Sequence, residues 1–327
     1  MASNPLLLGV DSGGSKTHVL LTDAEGRALG SGTAGASNYQ YVGEARALQT
    51  MDDAIGQAFD QASLARRPVD FAGFGFGGAD TEEELSRMSV WVTRQQWARS
   101  FVIVNDGMLP IYAACPNGEG VGVVAGTGAI IWAASRLPQP RVARTSGWGY
   151  LMGDEGGGYW LAGQALRHVA RAEDGRGPST LLTGRVLQHW ELPNARALIL
   201  HLYGQRWEPS EIALLAPVLL ACAEEGDPVA LSIAQAGADE LALAAAVAMQ
   251  QVGLRPPVTV AYTGSLLVKN ALYRALFAQA IAQRIGHAEL HAVEQPVLGA
   301  VAAARLLQQG ALTAGCTDWC AVVQDVC

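Results

Sequence analysis

The segment Asp11-Ser12-Gly13-Gly14-Ser15-Lys16-Thr17 directly follows an apolar run at residues 6–10. Its glycines let backbone N–H groups approach an anion without interference from a Cβ, so it offers a phosphate cradle at a strand end. The Walker pattern needs four residues between its first glycine and Gly-Lys, and the dinucleotide fingerprint needs a helix at once after it; this segment has neither. A second cradle is Ala125-Gly126-Thr127-Gly128, where Thr127 adds a hydroxyl that can donate to a phosphate oxygen. Two such turns can grip one polyphosphate. Between them, Asn105-Asp106-Gly107 closes an apolar strand, at the edge where α/β sheets place ligands. Phosphoryl transfer depends mostly on positioning and charge neutralisation, yet a carboxylate is needed to accept the proton of an attacking hydroxyl, and Asp106 is the candidate. Residues 147–158, GWGYLMGDEGGG, hold too many glycines for a regular element and precede a long helical pattern. They read as a binding loop in which Asp154 supplies carboxylate acceptors and Trp148 a flat apolar face.

The elements that must position these residues follow from the periodicity. Residues 6–11, 18–23 and 27–32 read as three short strands joined by the turns SGGSK and AEGR. Ala47, Met51, Ala54, Ile55, Ala58 and Phe59 recur at helical spacing within 43–64, followed by a strand at 69–76, a helix at 81–97 and a strand at 101–104. Strands alternating with helices argue for an α/β layer. From Gly120 the same grammar starts again, with strands at 120–125 and 129–133 around the second glycine turn. Residues 156–251 are helical by pattern, then 257–262 is a strand, 267–285 a helix, 288–292 a strand and 297–308 a helix. The turn Pro116-Asn117-Gly118 separates two domains, 1–116 and 117–327, of which the second is larger and more helical. The last helix is allowed to pack back on the first domain.

Length supports the same division, because 327 residues exceed a usual single domain. Half the residues are hydrophobic and 16% are charged, which excludes a disordered chain. A net charge of -8 gives no basic stripe for a phosphate backbone, so nucleic acid is not an expected partner. The opening MASNP carries no cationic region before its apolar run, and the apolar stretches at 212–223 and 241–249 are shorter than a bilayer span. A cytoplasmic protein with no membrane partner is expected. Five cysteines without close paired spacing suit a reducing compartment, and Cys316, Cys320 and Cys327 read as free thiols of a tail rather than a zinc set.

With these motifs in this order and spacing, the chain resembles the N-acetylglucosamine kinase branch of the BadF/BadG/BcrA/BcrD ATPase family, within the sugar kinase/heat-shock ATPase/actin superfamily. The matching stretches are residues 9–19, Ser37-Asn38-Tyr39, Asn105-Asp106-Gly107, Gly126-Thr127-Gly128, residues 147–160 and Tyr262-Thr263-Gly264-Ser265. GWGYLMGDEGGGYWLA is the most specific of them. The resemblance implies an α/β fold of two ribonuclease H-like (actin-like ATPase) domains with an interdomain cleft. It further implies transfer of phosphate from ATP, with Mg2+, to an amino sugar such as N-acetylglucosamine, at the 6-position, or glucosamine. By the same resemblance Gly13, Gly14, Ser15, Lys16 and Thr17 form the first phosphate loop, Gly126, Thr127 and Gly128 the second, and Gly264 with Ser265 open the adenosine motif. Asn38, Asp106, Gly147, Trp148, Gly149 and Asp154 match sugar-contacting positions, Asp106 matches the base, and Asp11 the residue that holds magnesium through water. A homodimer is the expected assembly. Two rivals are an ATPase that activates a dehydratase through an iron–sulfur cluster and a non-catalytic sugar or ATP sensor. The first wants cysteine ligands where the chain has only Cys115 before residue 222, and the second leaves Asp106 between two phosphate loops without purpose.

Overall fold

A computed structural model describes residues 4–136, 140–312 and 321–325, so the three cysteines of the tail lie outside the described residues. Eleven strands are described: β1 Leu7–Ser12, β2 Thr17–Thr22, β3 Ala28–Ala34, β4 Val69–Phe76, β5 Ala98–Asn105, β6 Gly120–Ala125, β7 Ala129–Ser135, β8 Arg141–Ser146, β9 Val258–Thr263, β10 Ala288–Ala292 and β11 Ala321–Asp325. The chain divides into two compact units. One takes the chain up to Gly122, returns for Ala133–Val142 and resumes at Gln295; the other comprises Val123–Trp132 and Ala143–Glu294.

The first unit holds a mixed sheet in the order β11-β5-β4-β1-β2-β3. β1, β2 and β3 form the antiparallel meander, β4 and β5 run parallel to β1, and β11 is antiparallel to β5. Side chains alternate across this sheet, and the two faces are packed differently. On one face Leu8, Val10, Phe74 and Phe76 join Met51, Ile55 and Phe59 of the helix Glu44–Gln61 and Met88, Trp91 and Val92 of the helix Glu82–Gln95 in a single core cluster. On the other, the paired residues Gly9 and Gly73 lie beneath the helix Val297–Gln308. A Cβ on Gly9 would stand 2.6 Å from a methyl of Val301, and one on Gly73 would run into the Ala300 carbonyl, so only glycine lets this helix come so close. Val297, Val301 and Leu20 are buried together there.

The second unit carries most of a five-stranded sheet ordered β10-β9-β6-β7-β8. β9 and β10 are parallel, while β6 and β7 are neighbours joined by a three-residue turn and hence antiparallel. The order repeats that of the first sheet without its edge strand β11: a meander whose first strand is central, extended on its other side by two later strands. The ribonuclease H-like arrangement thus occurs twice. β8 is an addition to the expected strands, since Arg-Val-Ala-Arg-Thr-Ser buries only Ala143 and has almost no apolar signal. Between β8 and β9 lie six helices, ending in the 24-residue helix Pro228–Gln251, which Asp227 caps through the Ala230 N–H at 2.8 Å. Its length and composition would let it cross a bilayer, but over half of its apolar window is buried in the protein, as in a core helix. The expected helix at 267–285 is two, Ser265–Lys269 and Ala271–Arg284. Asn270 between them is extended and accepts the Tyr273 N–H at 2.7 Å, an N-cap that starts the second helix.

Candidate functional site

The sequence-derived site residues fall into two clusters, one in each unit. In the first unit β1 ends at Ser12 and the chain turns, with the Gly13 N–H donating to the Lys16 carbonyl at 3.1 Å. The Gly13 carbonyl in turn accepts from the N–H groups of Ser37 and Asn38, at 3.1 and 3.2 Å. Beneath the turn, three buried hydroxyls form a chain. The Thr17 hydroxyl donates to the Gly35 carbonyl at 2.8 Å, which commits its one proton. Ser37 must therefore donate to Thr17, at 2.5 Å, and Ser12 to Ser37, at 2.7 Å. Thr17 thus braces the turn from inside, while Gly14, Ser15 and Lys16 are exposed at its tip.

Asp106 lies where β5 gives way to a single 3-10 turn, Asp106–Met108. Asn105 sets that turn: its side-chain oxygen accepts the Gly107 N–H at 2.8 Å and its amide donates to Asp80 at 3.1 Å. One Asp106 carboxylate oxygen is 3.2 Å from the point where a Cβ on Gly77 would stand, and the Asn38 side-chain nitrogen is 3.3 Å from the same point. Gly77 therefore keeps open the space between Asp106 and Asn38. Asn38 itself is buried and caps the short helix Tyr39–Val42 through the Gln40 N–H at 3.0 Å. Burial, then the neighbouring carboxylates of Asp11 and Asp80, push the Asp106 carboxyl up to about 7, with the Gly107 N–H opposing them. Asp11 is pushed up to about 6 by burial, partly offset by Lys16. Carboxylates this close favour a cation. Oxygen donors suit Mg2+, and no group of three His, Cys, Asp or Glu forms a closed ligand set among the described residues. The donor set therefore fits an ion that keeps most of its waters.

In the second unit the turn Gly126-Thr127-Gly128 joins β6 to β7 and is closed by the Gly126 N–H on the Gly128 carbonyl at 2.9 Å. The helix Gly158–Glu173 starts against it. Its first N–H groups, those of Gly158 and Tyr159, donate to the Gly126 and Thr127 carbonyls, both at 2.8 Å, so part of the usual set of unpaired helix donors fixes the turn. Asp154, with a left-handed φ of 59°, accepts the Gly149 N–H at 3.1 Å. A Cβ on Gly128 would collide with the other Asp154 oxygen, which places this carboxylate over the glycine turn. Burial holds Asp154 above the usual carboxylate range, opposed by the Gly149 N–H and Arg144 and reinforced by Glu155. Gly147 and Gly149 both have left-handed φ, and Trp148 between them is exposed, with the Arg144 guanidinium 5.4 Å from its ring centre. Gly264 presses on the backbone of Ala125 at the end of β6 and precedes the helix Ser265–Lys269, so Gly264 and Ser265 adjoin the same turn.

Periodicity did not single out Asp80, Glu84 or Arg144. Thr81-x-x-Glu84 carries the capping-box signature, and Glu84 also accepts from Gln40 at 2.8 Å and Tyr39 at 3.3 Å, tying the Asn38 segment to the helix Glu82–Gln95. Arg144 sits on the strand that had no apolar signal.

Comparison with known proteins identifies relatives over most of the chain. An N-acetyl-D-glucosamine kinase of Dictyostelium discoideum is 28% identical over 313 residues, covering 91% of this chain and 97% of that protein. An N-acetylmuramic acid/N-acetylglucosamine kinase of Clostridium acetobutylicum is 27% identical over 267 residues, covering 82% and 87%. A solved chain from Chromobacterium violaceum, described as a candidate N-acetylglucosamine kinase, superimposes with a TM-score of 0.74 at 27% identity over 91% of this chain and 98% of its own. The pattern of the BadF/BadG/BcrA/BcrD ATPases matches residues 8–304, nearly the whole chain, and the protein belongs to that family.

Proposed function

We propose that this protein is an ATP-dependent kinase that phosphorylates a hydroxyl of an amino sugar, N-acetylglucosamine to its 6-phosphate or glucosamine. The observation that carries the reading is Asp106: a carboxylate at the carboxyl edge of β5, with a proton affinity near neutrality and open space beside it kept by Gly77. The names of the relatives support the choice of sugar. A base with this affinity takes the proton of the sugar hydroxyl as the oxygen–phosphorus bond forms, while the bond from the γ-phosphorus to its bridging oxygen breaks and ADP leaves. Asn38 positions the sugar beside Asp106, and Gly147, Trp148, Gly149 and Asp154 supply the remaining sugar contacts. The turn Gly13–Lys16, through the N–H groups of its exposed tip Gly14, Ser15 and Lys16, and the Thr127 hydroxyl hold phosphate oxygens, and Gly264 and Ser265 the adenosine. Asp11 would hold Mg2+ through water, and the ion would neutralise phosphate charge. A cytoplasmic homodimer completes the reading.

A coupled ADP-release assay over a panel of hexoses and amino sugars tests it, with the product analysed for the position of the phosphate. Release of ADP that depends on an amino sugar and yields its 6-phosphate is expected. A protein that hydrolyses ATP at one rate whatever sugar is supplied is not a kinase of this class.

A further inference from the structure

Within the first unit, one peptide group joins the phosphate turn to Asn38. The Gly13 carbonyl accepts the N–H groups of both Ser37 and Asn38, at 3.1 and 3.2 Å. A trans peptide is planar with its C=O and N–H on opposite sides, so a carbonyl held toward Ser37 and Asn38 directs the Gly14 N–H away from them, at the exposed tip of the turn. Hydrogen bonds in series polarise one another. An anion that takes the Gly14 N–H therefore strengthens the bond between the Gly13 carbonyl and Asn38, and the reverse holds equally. The Asn38 side chain is fixed in turn: its oxygen takes the Gln40 N–H at 3.0 Å, and its nitrogen borders the space that Gly77 leaves beside Asp106.

Ser37 sits at the junction. Its buried hydroxyl accepts from Ser12 at 2.7 Å and donates to Thr17 at 2.5 Å, so its side chain is tied to both flanks of the turn while its N–H holds Gly13 between them. These three bonds set where the adjoining Asn38 N–H meets the same carbonyl. Farther along the segment, the Tyr41 ring lies beside Gly14, where a Cβ would stand 3.5 Å from the ring edge. We propose that Ser37 is a positioning residue for both substrates: it holds the phosphate turn and Asn38 as one body, so that phosphate at the turn and sugar at Asn38 tighten each other. The proposal rests on the kinase reading for which ligand occupies each place.

Calorimetry on the full chain reads this coupling as the ratio of two Kd values for a non-hydrolysable ATP analogue with Mg2+, without and with N-acetylglucosamine. A ratio of at least about fivefold is expected, and the analogue should tighten the sugar by the same factor. Ser37→Ala should cut the ratio at least about threefold, and Ser37→Thr, which keeps the hydroxyl, should retain most of it. A hydroxyl that serves stability alone would lower the Tm and leave the ratio where it was, and that result overturns the proposal. Tyr41 is 77% exposed, so Tyr41→Ala loosens the same segment without touching the core and should also lower the ratio. If Ser37→Ala does not fold, a wild-type ratio in Tyr41→Ala overturns the proposal instead. Sugar-dependent ADP release by a wild-type chain whose ratio is close to one removes the coupling and leaves the kinase reading standing. A Ser37-dependent ratio without ADP release upholds the coupling and removes the kinase, and a chain that binds no sugar removes both.

Discussion

Burial beside the Asp11 and Asp80 carboxylates makes ionisation of Asp106 costly, and the same arrangement makes it an effective proton acceptor. Asp106→Asn keeps the shape and removes the acceptor, so turnover should fall by about 10²–10⁴-fold while sugar and ATP still bind. A variant that keeps most of its turnover would remove Asp106 from the role of base. The linked effect on stability has the opposite sign. Unfolding returns the carboxyl from about 7 to its ordinary value of 3.8, so the unfolded chain binds fewer protons between those limits and stability falls as pH rises from about 4 to 7. The amide has no such term. Nucleotide-free Asp106→Asn should therefore melt above wild type at pH 8, with the gap closing toward pH 4; equal melting temperatures at both pH values would show that the folded protein does not strain this group. Asp106 was legible in the sequence because a strand end followed by Asn-Asp-Gly is a local signal. Asp80 was not, since its link to Asn105 spans 25 residues and arises only when β4 and β5 pair.

At the scale of the element, Glu84 joins three segments through one carboxylate. One oxygen accepts from the N–H groups of Asp80 and Thr81, at 3.0 and 2.9 Å, and the other from Gln40 and Tyr39 next to the Asn38 cap. The capping box itself is a pattern of neighbours and could be read from Thr81-x-x-Glu84, whereas the partners 44 and 45 residues away could not. Glu84→Ala should cost about 1 kcal/mol through the lost cap. If the carboxylate also holds the Asn38 segment in place, the KM for sugar should rise well above wild type while the KM for ATP changes little, and Glu84→Gln should recover part of the loss. A stability loss with an unchanged sugar KM would confine Glu84 to capping. The same contrast explains the missed elements: helices with a strong apolar stripe, such as Glu44–Gln61, declared themselves, but β8 buries a single apolar side chain and the break at Asn270 depends on a cap, not on periodicity.

Over the whole molecule, the two sheets share one strand order apart from the edge strand β11, and the repeated glycine hairpins were the visible trace of it. What the sequence withheld was strand order, because β1 pairs with β4 across 64 positions, from Leu7 to Phe71, and no local pattern encodes that register. It also left open which sheet the last helix covers. Val297–Gln308 belongs to the first unit, where Val297, Ala300, Ala303 and Ala304 are buried and, among the described residues, this helix supplies the nearest atoms to the Gly9–Gly73 face. Each buried valine or leucine is worth about 1.5–3 kcal/mol, so losing Val297, Val301 and Leu307 together removes an amount comparable with the whole 5–15 kcal/mol stability of a domain. A chain ending at Glu294 should therefore fail to hold the first unit's sheet. Hydrogen exchange reads this directly: amides of β1 and β4 should lose their protection in the truncated chain, while those of the Pro228–Gln251 helix, packed within the second unit, should keep theirs. A truncated chain whose β1 and β4 amides stayed protected would mean that the glycine face does not depend on this helix, and the close approach at Gly9 and Gly73 would be packing without consequence for folding.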